Sequence, residues 1–579
     1  MNSSCAKLRI CAAILVAVIV VASASAQTIL RVDETAQPGG DGQTWATAFN
    51  SLVEALALAD DGSQHQLWVA RGTYTAPMPN FALRVGDELY GGFDGSEAIL
   101  SERDPSGNLT ILDGAGTHRV LTAGSDTVVD GVTIQNGSRP TKGGGMRTAA
   151  GPVTVRNVLF LNNTATGDGG GIYCYDGTLI LQDCVFRSNS VTQDDGDLAD
   201  GGGAGTYDGE LIIQNCVFED NSAQGRGGAF YCYTASRVSI EASTFVGNSA
   251  NNGGAVMCHQ GRPVLVGCSF IANSALLSGG ACQVGAADFS NCVFSGNHAV
   301  VSGGALRGTQ ENLALSTFVR NSAGAQGACL FTGASIASNC IIARNSLPQI
   351  NGSPDVTFSL IDTGYPGLGN LSGDPGFRNP IVGDYRLDAG SPCIDAGKDA
   401  VLPADALDID GDGDTDEPIP FDRLGGERIR GAGVDLGAHE SMLGCGDIAY
   451  FCAALPNSTG AGCEIAFQGS PAFAAQDFRL SATGVPANTT GIFAYGQRAV
   501  QIPFGDGLRC IGGLSFRLPP LVTADQDGTA LATLPLPSGG PGSIHTGSTW
   551  NFQFWYVDAG GPGGSGFNLS DAVRVRFCN

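Results

Sequence analysis

The chain has 579 residues, with 55 acidic against 30 basic side chains and a formal net charge of −25. Such a surface repels nucleic acid and anionic membranes, so neither is an expected partner. Glycine, at 86 residues, runs at about twice average usage and needs a structural reason.

At the N-terminus, Lys7 and Arg9 precede an apolar run over 10–21, and Ala24-Ser25-Ala26 follows as a small-residue cleavage site. This is the pattern of a secretory signal peptide over 1–26, with an apolar run too short to span a bilayer. The mature chain is therefore expected to be secreted, extracellular or on the outer cell surface, with no transmembrane segment. All cysteines except Cys5 and Cys11 then meet an oxidising compartment. Zinc is not expected, because C-x-x-C pairs are absent and the histidines are scattered. Cys258 and His259 are adjacent, so on a strand they face opposite ways.

Residues 27–138 read as an N-terminal cap and first coils. Apolar residues at Phe49, Leu52, Ala55, Leu56 and Ala59 have the spacing of a short amphipathic helix. A helix there would cover the strand edge of a first coil.

Over 139–345 the chain repeats itself. An apolar residue is followed three positions later by Asn at Phe160/Asn163, Phe186/Asn189, Phe218/Asn221, Phe245/Asn248, Phe270/Asn273, Phe294/Asn297, Phe318/Asn321 and Ile342/Asn345. Between successive asparagines lies a glycine pair, as at Gly169-Gly170, Gly201-Gly202, Gly227-Gly228, Gly253-Gly254, Gly279-Gly280 and Gly303-Gly304. A period of about 24 residues means a solenoid, and the units are too poor in Leu for leucine-rich repeats. Short β-rich runs such as 178–186, punctuated by Gly and Asn, predict three strands per coil. The expected fold class is all-β: a right-handed parallel β-helix of the pectin-lyase-like type. Coils would stack about 4.8 Å apart, with Phe in an inward ladder and Asn amides pairing coil to coil. The glycine pair is expected at the opposite bend, where φ > 0 and close backbone approach are needed.

Cysteines ride on this lattice. Cys184, Cys216, Cys268 and Cys292 sit two residues before the ladder Phe, and Cys340 takes the same place before Ile342. Cys174, Cys232 and Cys258 form a second column. Stacking brings Cys184 near Cys216, Cys232 near Cys258 and Cys268 near Cys292. They are either disulfides or small buried hydrophobes that never oxidise.

The 32-residue interval between Asn189 and Asn221 carries an insertion over 194–200 rich in Asp. Solenoid insertions project from one face; here a solvated loop competes with a polysaccharide-cleaving site built on an acid/base pair. Residues 346–444 read as last coils and an Asp-rich loop. In that loop Asp408, Asp410, Asp412, Asp414 and Asp416 alternate with Gly and small residues. Carboxylates at positions 1, 3 and 5 with Gly at 6 match the start of a calcium loop, so a structural Ca²⁺ is the expected cofactor. Position 12 is Ile419 where an EF-hand has Glu. Residues 445–579 carry Cys445, Cys452, Cys463, Cys510 and Cys578, with alternating apolar runs that predict an antiparallel β-sandwich. Its aromatics Trp550, Phe552, Trp555 and Tyr556 are expected in the core rather than on a sugar-binding face.

The alternation of Gly-Gly-Ala elements with Phe-x-x-Asn over about 140–345 resembles the polymorphic outer membrane protein repeats of bacterial surface proteins. The stretches Asp374-Pro375-Gly376-Phe377 and 434–440 are similar to the closing segment of choice-of-anchor Q proteins, and the end resembles C-terminal domains of planctomycete-type secreted proteins. Autotransporter-type members end in a membrane barrel with a terminal aromatic residue; this chain ends Phe577-Cys578-Asn579, so self-insertion is not expected. The resemblance implies a non-catalytic secreted or surface protein with an adhesive or structural role, meeting extracellular glycans or envelope components. The alternative is a polysaccharide-binding or -cleaving enzyme on the same fold, since fold does not fix function.

Overall fold

In a computed structural model the chain is described over 27–577, apart from 60–62, 140, 149, 193–198, 235–236, 389, 431–432, 442–447, 472–476, 535–543 and 545–547. The segment read as a signal peptide lies outside the described residues. So do Asp194, Asp195 and Asp197 of the insertion, and Cys445 and Cys578.

Four parallel sheets of 13, 12, 11 and 8 strands wind into a right-handed solenoid. This is the hand that right-twisted strands favour in parallel crossovers. One coil shows the path. Strand Ile172–Cys174 leads to Thr178–Gln182, then Val185–Arg187, then the two-residue strand Ser190–Val191. Register is kept from coil to coil: Phe160 pairs with Phe186, Phe186 with Phe218, and Phe218 with Phe245.

Two inward columns hold the coils. The Phe rings stack at 4.5–5.0 Å between centroids and within 9° of parallel, from Phe160 to Phe318. Beside them the asparagines form a satisfied amide ladder. Asn221 Nδ2 donates to Asn248 Oδ1 at 3.0 Å and to Phe186 O at 2.9 Å, and Asn248 Oδ1 also accepts from Asn221 N. Each inner amide thus uses both donors and both lone pairs at full burial, which is what makes a polar column tolerable in a core. At the last coil Asn345 Nδ2 turns to Gln349 Oε1 at 3.0 Å, so Gln349 caps the ladder.

The glycine pair corrects one expectation. The first glycine of each pair has φ between 59 and 72°, as expected, but the second does not sit across the coil from the asparagines. A Cβ on Gly228 would meet Ser249 O and Gly254 O, directly after Asn248. The two-residue strands bring the chain from asparagine to glycine so quickly that both columns share one narrow end. The positive-φ corners opposite are made by other residues, among them Asn157, Asp183, Asn215 and Asn291.

Helix Leu52–Leu58 is capped by Ser51, whose side chain accepts from Val53 N, and it buries Leu52, Ala55 and Leu56 against the first coils. At the far end, strand Leu360–Ile361 is followed by a strap, 371–441, that folds back along the flank instead of adding coils. The C-terminal segment is antiparallel. A five-stranded sheet including Thr490–Phe504, Thr549–Asp558 and Gly566–Arg576 faces a three-stranded sheet including Glu464–Gln468 and Arg479–Thr483. Phe478, Leu480, Phe552, Phe554 and Val573 fill the space between them. Trp550, Phe552 and Tyr556 are buried in that core, as expected; Trp555 lies outside it, half-buried with its ring against Phe504.

The stacked cysteines take the second of the two roles open to them. Cys174, Cys184, Cys216, Cys232, Cys258, Cys268, Cys292 and Cys340 are buried free thiols. Cys232 and Cys258 are register partners, yet form no disulfide. Burial pushes Cys184 and Cys268 well above the usual thiol range and Cys340 up to about 12, and the hydrogen bond with Cys232 followed by burial does the same for Cys258, so they are inert hydrophobes. Cys452 and Cys510 form a disulfide in the sandwich.

Candidate metal centre

The strap has little regular structure, so its seat on the solenoid decides where its side chains go. Phe377, Tyr385, Leu387, Leu436 and Ala438 pack on Val293, Val319, Ile341 and Ala343, which are outward residues of the Phe strands. Further along, Ile419 and Val434 pack on Val266, Ala314 and Leu315. Apolar residues on the outer face of a solenoid are thereby explained. Ile419, which breaks the EF-hand pattern, is a buried anchor of the strap.

Polar ties fix the same seam. Arg423 Nη2 donates to Ser269 Oγ at 2.6 Å, Asn291 Nδ2 to Phe421 O at 2.6 Å, and Lys398 N to Asn339 Oδ1 at 2.8 Å. Arg428, 1% exposed, pairs with Glu440 at 3.2 Å and donates to the Asp435 and Gly437 carbonyls. Asp435 Oδ1 accepts from Asp395 N at 2.7 Å. The segment 434–440 contains Asp435, His439 and Glu440. Its Asp435 and Glu440 tie down backbone N–H groups, and burial pushes His439 down to about 4, holding it neutral.

The Asp-rich loop hangs from this strap. Its base is closed by backbone pairing: Asp405 N donates to Glu417 O at 2.8 Å and Ile419 N to Pro403 O at 2.9 Å. Within it, carboxylate oxygens of Asp408, Asp410 and Asp412 lie within 4.8 Å of one another, and so do those of Asp405, Asp410 and Glu417. Asp414 and Asp416, expected among the ligands, are in neither group. Asp414 Oδ1 accepts from Asp416 N in a local turn. Asp405 and Glu417 lie outside the alternating run, three residues before it and one after it, so its spacing does not point to them. Asp405 is 1% exposed, its Oδ2 accepts from Ile409 N, and its Oδ1 has no partner. Glu417 Oε1 is also buried and unpartnered. Burial and then the neighbouring Asp410, Asp408 and Glu241 push the Asp405 carboxyl up. These are hard oxygen donors of the kind that suit Ca²⁺.

A second group of carboxylates lies beside the insertion. Asp168 pairs with Lys142 at 2.7 Å, Asp200 with Arg226 at 2.6 Å, and Asp168 Oδ1 accepts from Asp200 N. Lys142 lies over the Tyr173 ring and Arg226 over Tyr231. Burial pushes Asp168 up, ahead of the opposing pull of Lys142. Nearby, Tyr175, Tyr207, Tyr233 and His259 form an outward row of stacked rings, 5.0–5.4 Å apart, with Tyr175 and Tyr207 exposed.

Together these features define a parallel β-solenoid with a back-folded strap and an antiparallel sandwich. Residues 157–175 and 215–233 match the Chlamydia polymorphic membrane protein repeat. Each match runs from one Phe-x-x-Asn turn through the following glycine pair. No curated protein matches the chain.

Proposed function

We propose that this protein is a non-catalytic secreted or cell-surface scaffold, kin to the polymorphic membrane protein repeat and choice-of-anchor Q proteins, that adheres to extracellular glycans or envelope components. The observation that carries this reading is the outward row Tyr175, Tyr207, Tyr233 and His259, held rigid by the coil spacing. Rigid aromatic edges and hydroxyls on a regular pitch offer a repeating polymer one contact per coil at little entropic cost. The acidic surface argues for a neutral or cation-bridged glycan. The pair most like an acid/base couple, Asp168 and Asp200, is occupied by Lys142 and Arg226. An enzyme remains the second reading, because Asp168 is buried against Asp200 with a raised pKa.

The test is a glycan array with and without calcium, followed by incubation of each binder. The expected result is a binder that Tyr175→Ala/Tyr207→Ala weakens by about tenfold, roughly 1.4 kcal/mol, and that is not shortened. Depolymerisation that is lost in Asp168→Asn would establish the enzyme instead.

A further inference from the structure

The loop 405–417 carries Asp405, Asp408, Asp410, Asp412, Asp414, Asp416 and Glu417 and no basic residue. Crowding of this kind needs a counter-charge, yet acidic loops on surfaces often find one in water and mobile ions. What separates this loop is Asp405. It is 1% exposed, its Oδ1 is buried without a partner, and one of its carboxylate oxygens lies within 4.8 Å of oxygens of Asp410 and Glu417. A buried carboxylate oxygen with no donor is costly unless a proton or a cation supplies the missing charge. Glu417 Oε1 repeats the situation across the closed base of the loop.

We propose that Asp405, Asp410 and Glu417 form the inner ligands of a Ca²⁺ site, completed by Asp408 and Asp412, and that the ion clips the strap to the solenoid flank. Seven or so oxygen positions are within the reach of five carboxylates, which suits Ca²⁺ better than the octahedral demand of Mg²⁺. The clip follows from position. Leu402, Leu407 and Ile409 pack with Val264 and Val266 of the flank, and Ile419 is buried among the same residues. Neutralising the base of the loop therefore removes the repulsion, including that of Glu241 on Asp405, that opposes this packing. The proposal is independent of what the solenoid binds.

The experiment uses the full chain, stripped with EDTA and titrated calorimetrically with CaCl₂ and then with MgCl₂. Binding of calcium is expected, with magnesium at least tenfold weaker. Asp405→Asn and Glu417→Gln are each expected to weaken calcium at least tenfold, whereas Asp416→Asn changes it less than threefold. Limited proteolysis supplies the second readout: EDTA opens cleavage within 399–441, and calcium closes it in the wild type and in Asp416→Asn but not in Asp405→Asn. Circular dichroism of each variant confirms an intact solenoid. No calcium binding by the folded wild type, or loss in Asp416→Asn with none in Asp405→Asn, overturns the site. Calcium binding that leaves the cleavage of 399–441 unchanged overturns the clip.

Discussion

In the solenoid each ladder asparagine finds its partner one coil away, 24 to 32 residues along the chain. In the strap, ties reach from Arg423 to Ser269 across 154 residues and from Phe421 to Asn291 across 130. The first region is built from one interaction copied many times, so each coil supports and is supported by its neighbours, as in other repeat proteins. The second is a set of single contacts on a surface that the first provides. Loss of one rung is therefore a fault in the core; loss of one tie frees a local segment.

Asn248→Ala is expected to break the solenoid most severely. It leaves Asn221 N without its acceptor and takes one bond each from Asn221 Nδ2, Asn273 Oδ1 and Phe218 O in a dry core, while Asn221 Nδ2 keeps Phe186 O and Asn273 Oδ1 keeps the backbone N–H of residue 248. At about 1–3 kcal/mol for the orphaned N–H and about 1 kcal/mol for each of the other lost bonds, the cost is about 5 kcal/mol in a urea melt. Acid acts on the other region. His439 is held neutral, with its pKa lowered from 6.5 to about 4. The unfolded form binds the proton first, so the stability carried by neutral His439 is fully present above about 6.5 and is lost as pH falls toward 4. The difference between wild type and His439→Gln in opening the strap is expected to shrink by up to about 3 kcal/mol across that window, followed by hydrogen exchange over 422–441. Asn339→Ala is a buried asparagine on the seam, where Oδ1 accepts from Lys398 N and Nδ2 donates to Lys398 O. It should cost about 2 kcal/mol and loosen the strap while the coils stay protected. Smallest is Cys268→Ala, about 1 kcal/mol; the solenoid thiols should resist a thiol reagent at pH 8 until the coils unfold.

Much of the solenoid was legible because its contacts repeat. Phe160 to Phe318 and Asn163 to Asn345 recur with the coil, so one reading of the period placed both columns, and the spacing of Leu52, Ala55 and Leu56 announced the helix. The glycine column was misplaced because periodicity gives the order of elements along a coil and says little about which bends meet; two-residue strands such as Ser190–Val191 close that gap. The corner residues Asp183, Asn215 and Asn291 were invisible for a related reason, since αL residues vary from coil to coil. The strap was not legible at all, because Ile419 on Val266 or Arg428 on Asn291 leaves no pattern in sequence. Within the candidate site, Asp408, Asp410 and Asp412 followed from spacing. Asp405 and Glu417 depend on the backbone pairing that closes the loop, which spacing in sequence does not show.

Hydrogen exchange on full-length Asn248→Ala tests the coil-to-coil account most directly. Protection should be lost in the coils of Asn221, Asn248 and Asn273, fading along the axis, with the sandwich 448–577 as protected as in the wild type. Protection unchanged in those coils, or lost equally from coils and sandwich, would contradict it.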